Sequence, residues 1–276
     1  MKYILSLVFA CALLSAAAQD FHKIDLFTYG GLPASDSLNE NLQVLYNTAF
    51  ITGYSNMLKN PMWTVYRYGN LKGKYEDQEP KLESWERPFE FKTDQRTLSK
   101  VKHEDYNGVG FDRGHMAPNA GILEQYGQMA QLETFLMSNI SPQHKDLNQK
   151  IWAKLEAEIR TKISQDDTQN KEVHDIYIIS GPIFEANPIQ RLQSGIAVPT
   201  SFYCILAYHR GYGSTVKAVA FKFPQQPDPA KVFLDFVTTV DEIEKLTNLN
   251  FFPALSPQKQ ANLESKKRDF QLNDIP

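Results

Sequence analysis

Four runs of the chain are dense in β-branched and aromatic residues: Trp63 to Tyr68, Ile176 to Ser180, Phe202 to His209 and Val216 to Phe223. Each reads as a strand, because such side chains fill a pleated, half-buried surface. The last two flank Arg210-Gly211-Tyr212-Gly213-Ser214, whose glycines suit a hairpin connection. Three other stretches, Gly121 to Met137, Asn148 to Ile163 and Val240 to Leu246, read as helices. In the second, Leu147, Ile151, Leu155, Ile159 and Ile163 recur every four residues and form a stripe that must pack inward. Asn148, Trp152 and Glu156 form the adjoining stripe, so their polar groups lie at the border of the buried face. Strands and helices follow in mixed order without regular alternation. The pattern therefore predicts α+β, with a largely antiparallel central sheet flanked by helices. Asn70 to Glu86 and Ser265 to Pro276 are charged and interrupted, and read as surface segments.

The amino terminus breaks this pattern. Met1-Lys2, the apolar run Tyr3 to Leu14 and the small residues Ser15-Ala16-Ala17-Ala18 have the three parts of a secretory signal, with cleavage expected after Ala18. The run falls short of the roughly 20 apolar residues that span a bilayer. A secreted or periplasmic location without stable membrane association follows, with residues 19–276 forming one domain. Of the two cysteines, Cys11 leaves with the signal, and Cys204 alone cannot form an intramolecular disulfide. The formal charge is −3, and loss of Lys2 makes it −4. Such mild acidity disfavours a tight stoichiometric nucleic-acid binder more than an enzyme, which needs only a local positive groove to hold a polyanion and then release it.

Chemistry concentrates in Asp112-Arg113-Gly114-His115 and the helix that begins near Asn148. An imidazole takes a proton from water near neutral pH, so His115 is the base candidate. The planar guanidinium of Arg113 matches phosphate oxygens and can neutralise charge at phosphorus. Asn148 offers an amide oxygen to a hard, largely hydrated divalent ion. Glu156 stands about 12 Å further along a regular helix, which assigns it to a metal-bound water, with Asn148 as the direct ligand. Asp112 is a supporting group for Arg113 or for such a water, and Asn139 and Gln143 could bond the site's loop or the substrate. Each residue also has an ordinary alternative: His115 bonded to a backbone carbonyl, Arg113 paired with Asp112 or Asp105, Asn148 as a helix cap, Glu156 on a solvated face. Asn139-Ile140-Ser141 is formally a glycosylation sequon, which needs an exposed loop to be used.

Taken together, Asp112-Arg113-Gly114-His115-Met116-Ala117-Pro118, Ser138-Asn139-Ile140-Ser141-Pro142-Gln143 and Leu147-Asn148-Gln149-Lys150-Ile151-Trp152 with Leu155-Glu156 resemble the DNA/RNA non-specific endonuclease family. These are the ββα-metal, or His-Me finger, nucleases, including the endonuclease G-like proteins. The likeness continues through Ser180-Gly181-Pro182-Ile183-Phe184, Val198-Pro199-Thr200-Ser201-Phe202-Tyr203 and Val240 to Thr247, and so spans most of the chain. It implies a metal-dependent hydrolase of DNA and RNA giving 5′-phosphate products. His115 would be the general base, Asn148 the Mg²⁺ ligand (Mn²⁺ or another divalent cation in its place being an alternative), and Glu156 and Asn139 helpers. Arg87, before Phe91-Lys92-Thr93-Asp94, looks like the family's upstream arginine. Cys204 departs from the pattern, since many relatives carry Lys there. A homodimer does not follow from any residue pattern here. A non-enzymatic nucleic-acid-binding protein on a nuclease scaffold stays open as the other reading.

Overall fold

The computed structural model describes residues 22–35, 42–69, 87–169, 175–208 and 215–266, with the side chains of 162–169 outside that description. The signal sequence, the surface segment after Asn70, the hairpin connection at Arg210 to Ser214 and most of the charged tail lie outside the described residues. Among the described residues no helix is long and apolar enough to cross a membrane.

The predicted strands assemble into one antiparallel sheet of seven. In chain order its strands are β2 (Gln43–Tyr46), β3 (Ile51–Ser55), β4 (Asn60–Tyr68), β7 (Ile176–Ile183), β8 (Ser201–Tyr208), β9 (Lys217–Pro224) and β10 (Val237–Thr238), ordered β10-β9-β8-β7-β4-β3-β2. Two further strands, β1 (Ala34–Ser35) and β11 (Leu249–Asn250), pair with each other. The α+β, largely antiparallel expectation is met. Every residue of β8 is buried, which explains why its sequence, Ser-Phe-Tyr-Cys-Ile-Leu-Ala-Tyr, is a continuous apolar run rather than an alternation: both faces are covered. Register between β8 and β9 runs from Ser201 opposite Pro224 to Tyr208 opposite Lys217, as a hairpin requires.

Helices cover the sheet: α1 across residues 22–27, α2 (Asn119–Tyr126), α3 (Gln128–Thr134), α4 (Ala153–Gln169), α5 (Val240–Thr247) and α6 (Pro257–Glu264). The single helix expected over Gly121 to Met137 is two helices. Gly127 breaks it, with φ of 86°, a conformation that costs any residue with a Cβ. The helix expected from Asn148 opens with a π turn, Leu147–Trp152, that runs into α4. Its stripe packs inward as expected: Leu147, Ile151, Leu155 and Ile159 are all buried. Residues 202 and 203 of β8 point to opposite faces of the sheet. Phe202 meets Trp152 from one side, and Tyr203 meets Phe251 from the other. The π turn and α4 thus lie on one face, and the chain after α5 lies on the other.

Candidate active site

The segment around the motif is built in a way the hydrophobic pattern does not reveal. Asp112–His115 is a strand, β5, paired antiparallel with β6, Ile140–Gln143. By sequence, Ser138 to Gln143 reads as a loop leading into the helix, yet Ile140–Gln143 is a strand that contains Pro142. In a two-stranded ladder a proline is tolerated at a position whose N–H is not needed. Gly108 and Gly110, with φ of 69° and 81°, turn the chain into β5. Gly114 serves a different end: a Cβ there would run into the buried Gln143 side chain. After β6 comes the π turn and α4, so the site has two strands followed by a helix.

His115 lies between two aromatic rings, Phe91 at 5.3 Å and Phe135 at 5.2 Å. Its Nε2 is buried without a hydrogen-bond partner. The carbonyl-satisfied alternative therefore fails among the described residues. Burial, and then the charge of Arg87, pull the imidazole pKa from 6.5 down to about 3. The ring is therefore held neutral at physiological pH, as a weaker base than a free imidazole.

Asp112 connects His115 to the helix. One carboxylate oxygen, Oδ2, accepts Nδ2 of Asn148 at 2.9 Å and Nε2 of Gln149 at 2.8 Å. Among the described residues Asp112 makes no hydrogen bond to Arg113; it holds the side-chain amides of Asn148 and Gln149 instead. Asn148 is not a cap either, because its backbone N–H already bonds His144 O inside the turn. With Nδ2 held by Asp112, Oδ1 is the atom left for a cation, a hard neutral oxygen in keeping with a hydrated divalent ion.

Glu156 is not a solvated face residue. Its Oε1 accepts the indole N–H of Trp152 at 2.8 Å, an i,i+4 pair visible in the sequence once the helix is known. Burial pushes its carboxyl up to about 7, against the opposing pull of Trp152 and Arg160. It lies within electrostatic reach of Tyr66, Tyr68 and Cys204 on the sheet. The wide π turn also alters the spacing between Asn148 and Glu156 from that of a regular helix, a feature that recurs at functional sites.

The two arginines differ. Arg113 donates through Nη2 to His103 O and to Asn107 Oδ1, both at 2.8 Å, and stacks over Phe91 and Tyr106. It makes no ion pair with Asp112 or Asp105, and burial lowers its pKa. Arg87 is exposed, lies over Phe135 at 5.4 Å and bears electrostatically on His115. The chain after Arg87 is anchored at Lys92 and Asp94: Lys92 N–H bonds Phe135 O, Met137 N–H bonds Lys92 O, and Ser138 Oγ bonds Asp94 Oδ2.

Asn139 is completely buried and fully engaged. Oδ1 accepts Ala117 N–H at 2.8 Å, and Nδ2 donates to Ala117 O and Thr134 O, both at 3.0 Å. It locks the strand leaving His115 to the end of α3. The sequon requirement of an exposed loop is not met. Sequence reasoning missed the Phe91 and Phe135 pocket, for which no local pattern gives a signal, since the two rings come together only through the tertiary fold.

The fold matches that of the crystal structure of the EndoG/EndoGI complex with a TM-score of 0.65 at 22% identity, over 83% of this chain and 91% of that one. In sequence the chain is 33% identical to a nuclease from Serratia marcescens over 168 residues, which is 59% of this chain and 60% of the relative. It is 32% identical to a nuclease from Nostoc sp. over 60% of each chain. Identity to mitochondrial endonuclease G from Bos taurus is 31%, over 56% of this chain and 52% of that protein. The match thus spans three fifths or less of these relatives' length. A model of the DNA/RNA non-specific endonuclease family matches residues 33–258, and the chain belongs to that family.

Proposed function

We propose that the chain hydrolyses phosphodiester bonds of DNA and RNA, with His115 taking the proton of the attacking water. The observation that carries this reading is the Asp112 bridge, in which the strand bearing the imidazole holds the Asn148 amide at 2.9 Å. A base and a metal ligand on separate elements are thereby kept in fixed relation. Asn148 would hold a divalent cation, Mg²⁺ by preference, through Oδ1. When bound, that ion supplies positive charge opposite the pentacoordinate phosphorus and the departing 3′ oxygen. Arg87 receives a phosphate oxygen, and Arg113 keeps the Phe91 wall of the imidazole in place. Asn139 acts by fixing the chain after His115. Glu156, held by the Trp152 indole, would bond water around that cation.

Family membership and the nuclease relatives support the reaction class. Phosphate contacts carry no base information, so sequence preference is weak; departure of the 3′ oxygen leaves a 3′-hydroxyl and a 5′-phosphate. Residues 1–18 direct the chain out of the cytoplasm, and residues 19–276 act as one domain. Plasmid and RNA digestion with and without chelator, beside His115→Ala, tests the reading. The expected result is loss of at least about 10²-fold of activity in the variant, at unchanged Tm. Nucleic-acid binding without cleavage by the parent protein would instead favour the non-enzymatic reading.

A further inference from the structure

On the other face of the sheet from His115, three carboxylates converge. Asp241 and Glu244 come from α5, Glu264 from the last turn of α6, and a carboxylate oxygen of each lies within 4.8 Å of the others. Three electrostatic penalties meet at Glu264. It is only 6% exposed. It ends a helix, where the backbone carbonyls already concentrate negative charge. And it faces two further carboxylates. Its Oε1 is buried without a hydrogen-bond partner, and neither it nor Asp241 has an ion pair among the described residues. Burial first, then Glu244 and Asp241, push its carboxyl up to about 7. A buried carboxylate of this kind persists only when paired or bound to a cation.

The frame around the trio is rigid. Glu244 accepts the Phe251 N–H at 2.7 Å, and Gln260 Nε2 donates to Asn250 Oδ1, Phe251 O and Phe252 O. Helix α6 is thus fixed against the chain following α5. Oxygens facing each other across a calcium ion lie about 4.6–5.2 Å apart, twice the usual bond length, and calcium tolerates irregular sets of carboxylates and waters. Magnesium demands a tighter octahedron and holds its own water.

We propose that Asp241, Glu244 and Glu264 form a calcium site that clamps α6 to α5, separate from the phosphodiester site and independent of its chemistry. Phe251, beside the trio, packs on Tyr203, whereas Trp152 packs on Phe202 from the opposite face, so the two sites are divided by the sheet.

Because Asn148 is a second place for a cation, the test uses the full chain carrying Asn148→Ala, stripped with chelator. Calorimetric titration with calcium chloride should give one binding event per chain, and calcium should raise Tm by at least about 2 °C. Adding Glu264→Gln should weaken that binding by at least about tenfold and remove the Tm shift. Should that double variant fail to fold, Asp241→Asn, at a half-buried position in the first turn of α5, gives the same readout. No calcium binding and no Tm shift in Asn148→Ala would overturn the proposal, the trio then sharing a proton. An equal shift with magnesium at the same concentration would overturn the choice of calcium.

Discussion

Arg87 and Arg113 both belong to the aromatic surroundings of His115, but they are engaged differently. Arg113 gives Nη2 to two protein oxygens and its plane to two rings, whereas Arg87 is exposed over a single ring. Arg87→Ala should lower kcat/KM by at least about tenfold at unchanged Tm. Arg113→Ala should lower Tm, at a cost of about 1–3 kcal/mol for the oxygens it leaves unpaired. Thermal melts and steady-state kinetics on the two proteins check this, and an Arg113→Ala protein with normal Tm and lost activity would restore it as the phosphate receptor. Glu156 carries a second expectation. Its folded pKa of about 7 lies above the ordinary carboxylate value of 4.5. The stabilisation from its proton is complete below pH 4.5 and is lost as pH rises through 7. In chelator, Glu156→Gln should therefore flatten the fall of Tm between about pH 4.5 and 7, though not abolish it, because Glu264 titrates in the same direction. His115, neutral down to about pH 3, should not produce an acid limb of kcat/KM near 6.5.

At the level of elements, the motif's glycines divide into two kinds. Gly108 and Gly110 have open space where a Cβ would go, and their cost on substitution is the positive φ alone, about 1–2 kcal/mol each. Gly114 has ordinary backbone but stands under the Gln143 side chain, which is too buried to swing away. Gly114→Ala should pry β5 from β6 and reduce both Tm and activity, whereas Gly108→Ala should reduce Tm and spare turnover. Melting curves with initial rates separate the two. These strands were also the hardest elements to read. Trp63 to Tyr68 and the runs in β7, β8 and β9 announce themselves because their side chains fill the core, and the stripe on α4 does so for the same reason. Asp112 to His115 and Ile140 to Gln143 are polar strands held by each other, by Asn139 and by Ser180 Oγ on Met116 O, so burial leaves no periodic trace in them. The residue types at the site were legible. Their bonding was not, because Asp112 reaches Asn148 across 36 positions of chain.

At the scale of the whole molecule, the seven-stranded sheet lies between the helix that carries Asn148 and Glu156 and the helices that carry the carboxylate trio. The burial of Asn139 has a further consequence, for where the protein can be made. A pathway that attaches sugar to Asn139-Ile140-Ser141 meets the sequon on the unfolded chain, before anything hides it. A glycan on Nδ2 could not donate to both Ala117 O and Thr134 O, and there is no room for it in the core. Expression through a glycosylating secretory route should yield sugar-bearing chains that fail to fold, and a bacterial host should yield native ones; mass spectrometry of the insoluble fraction tells them apart. Ser141→Ala would erase the sequon but also the bond to Asn60 Oδ1, so the same few buried groups that align the site also narrow the choice of host in which the chain can mature.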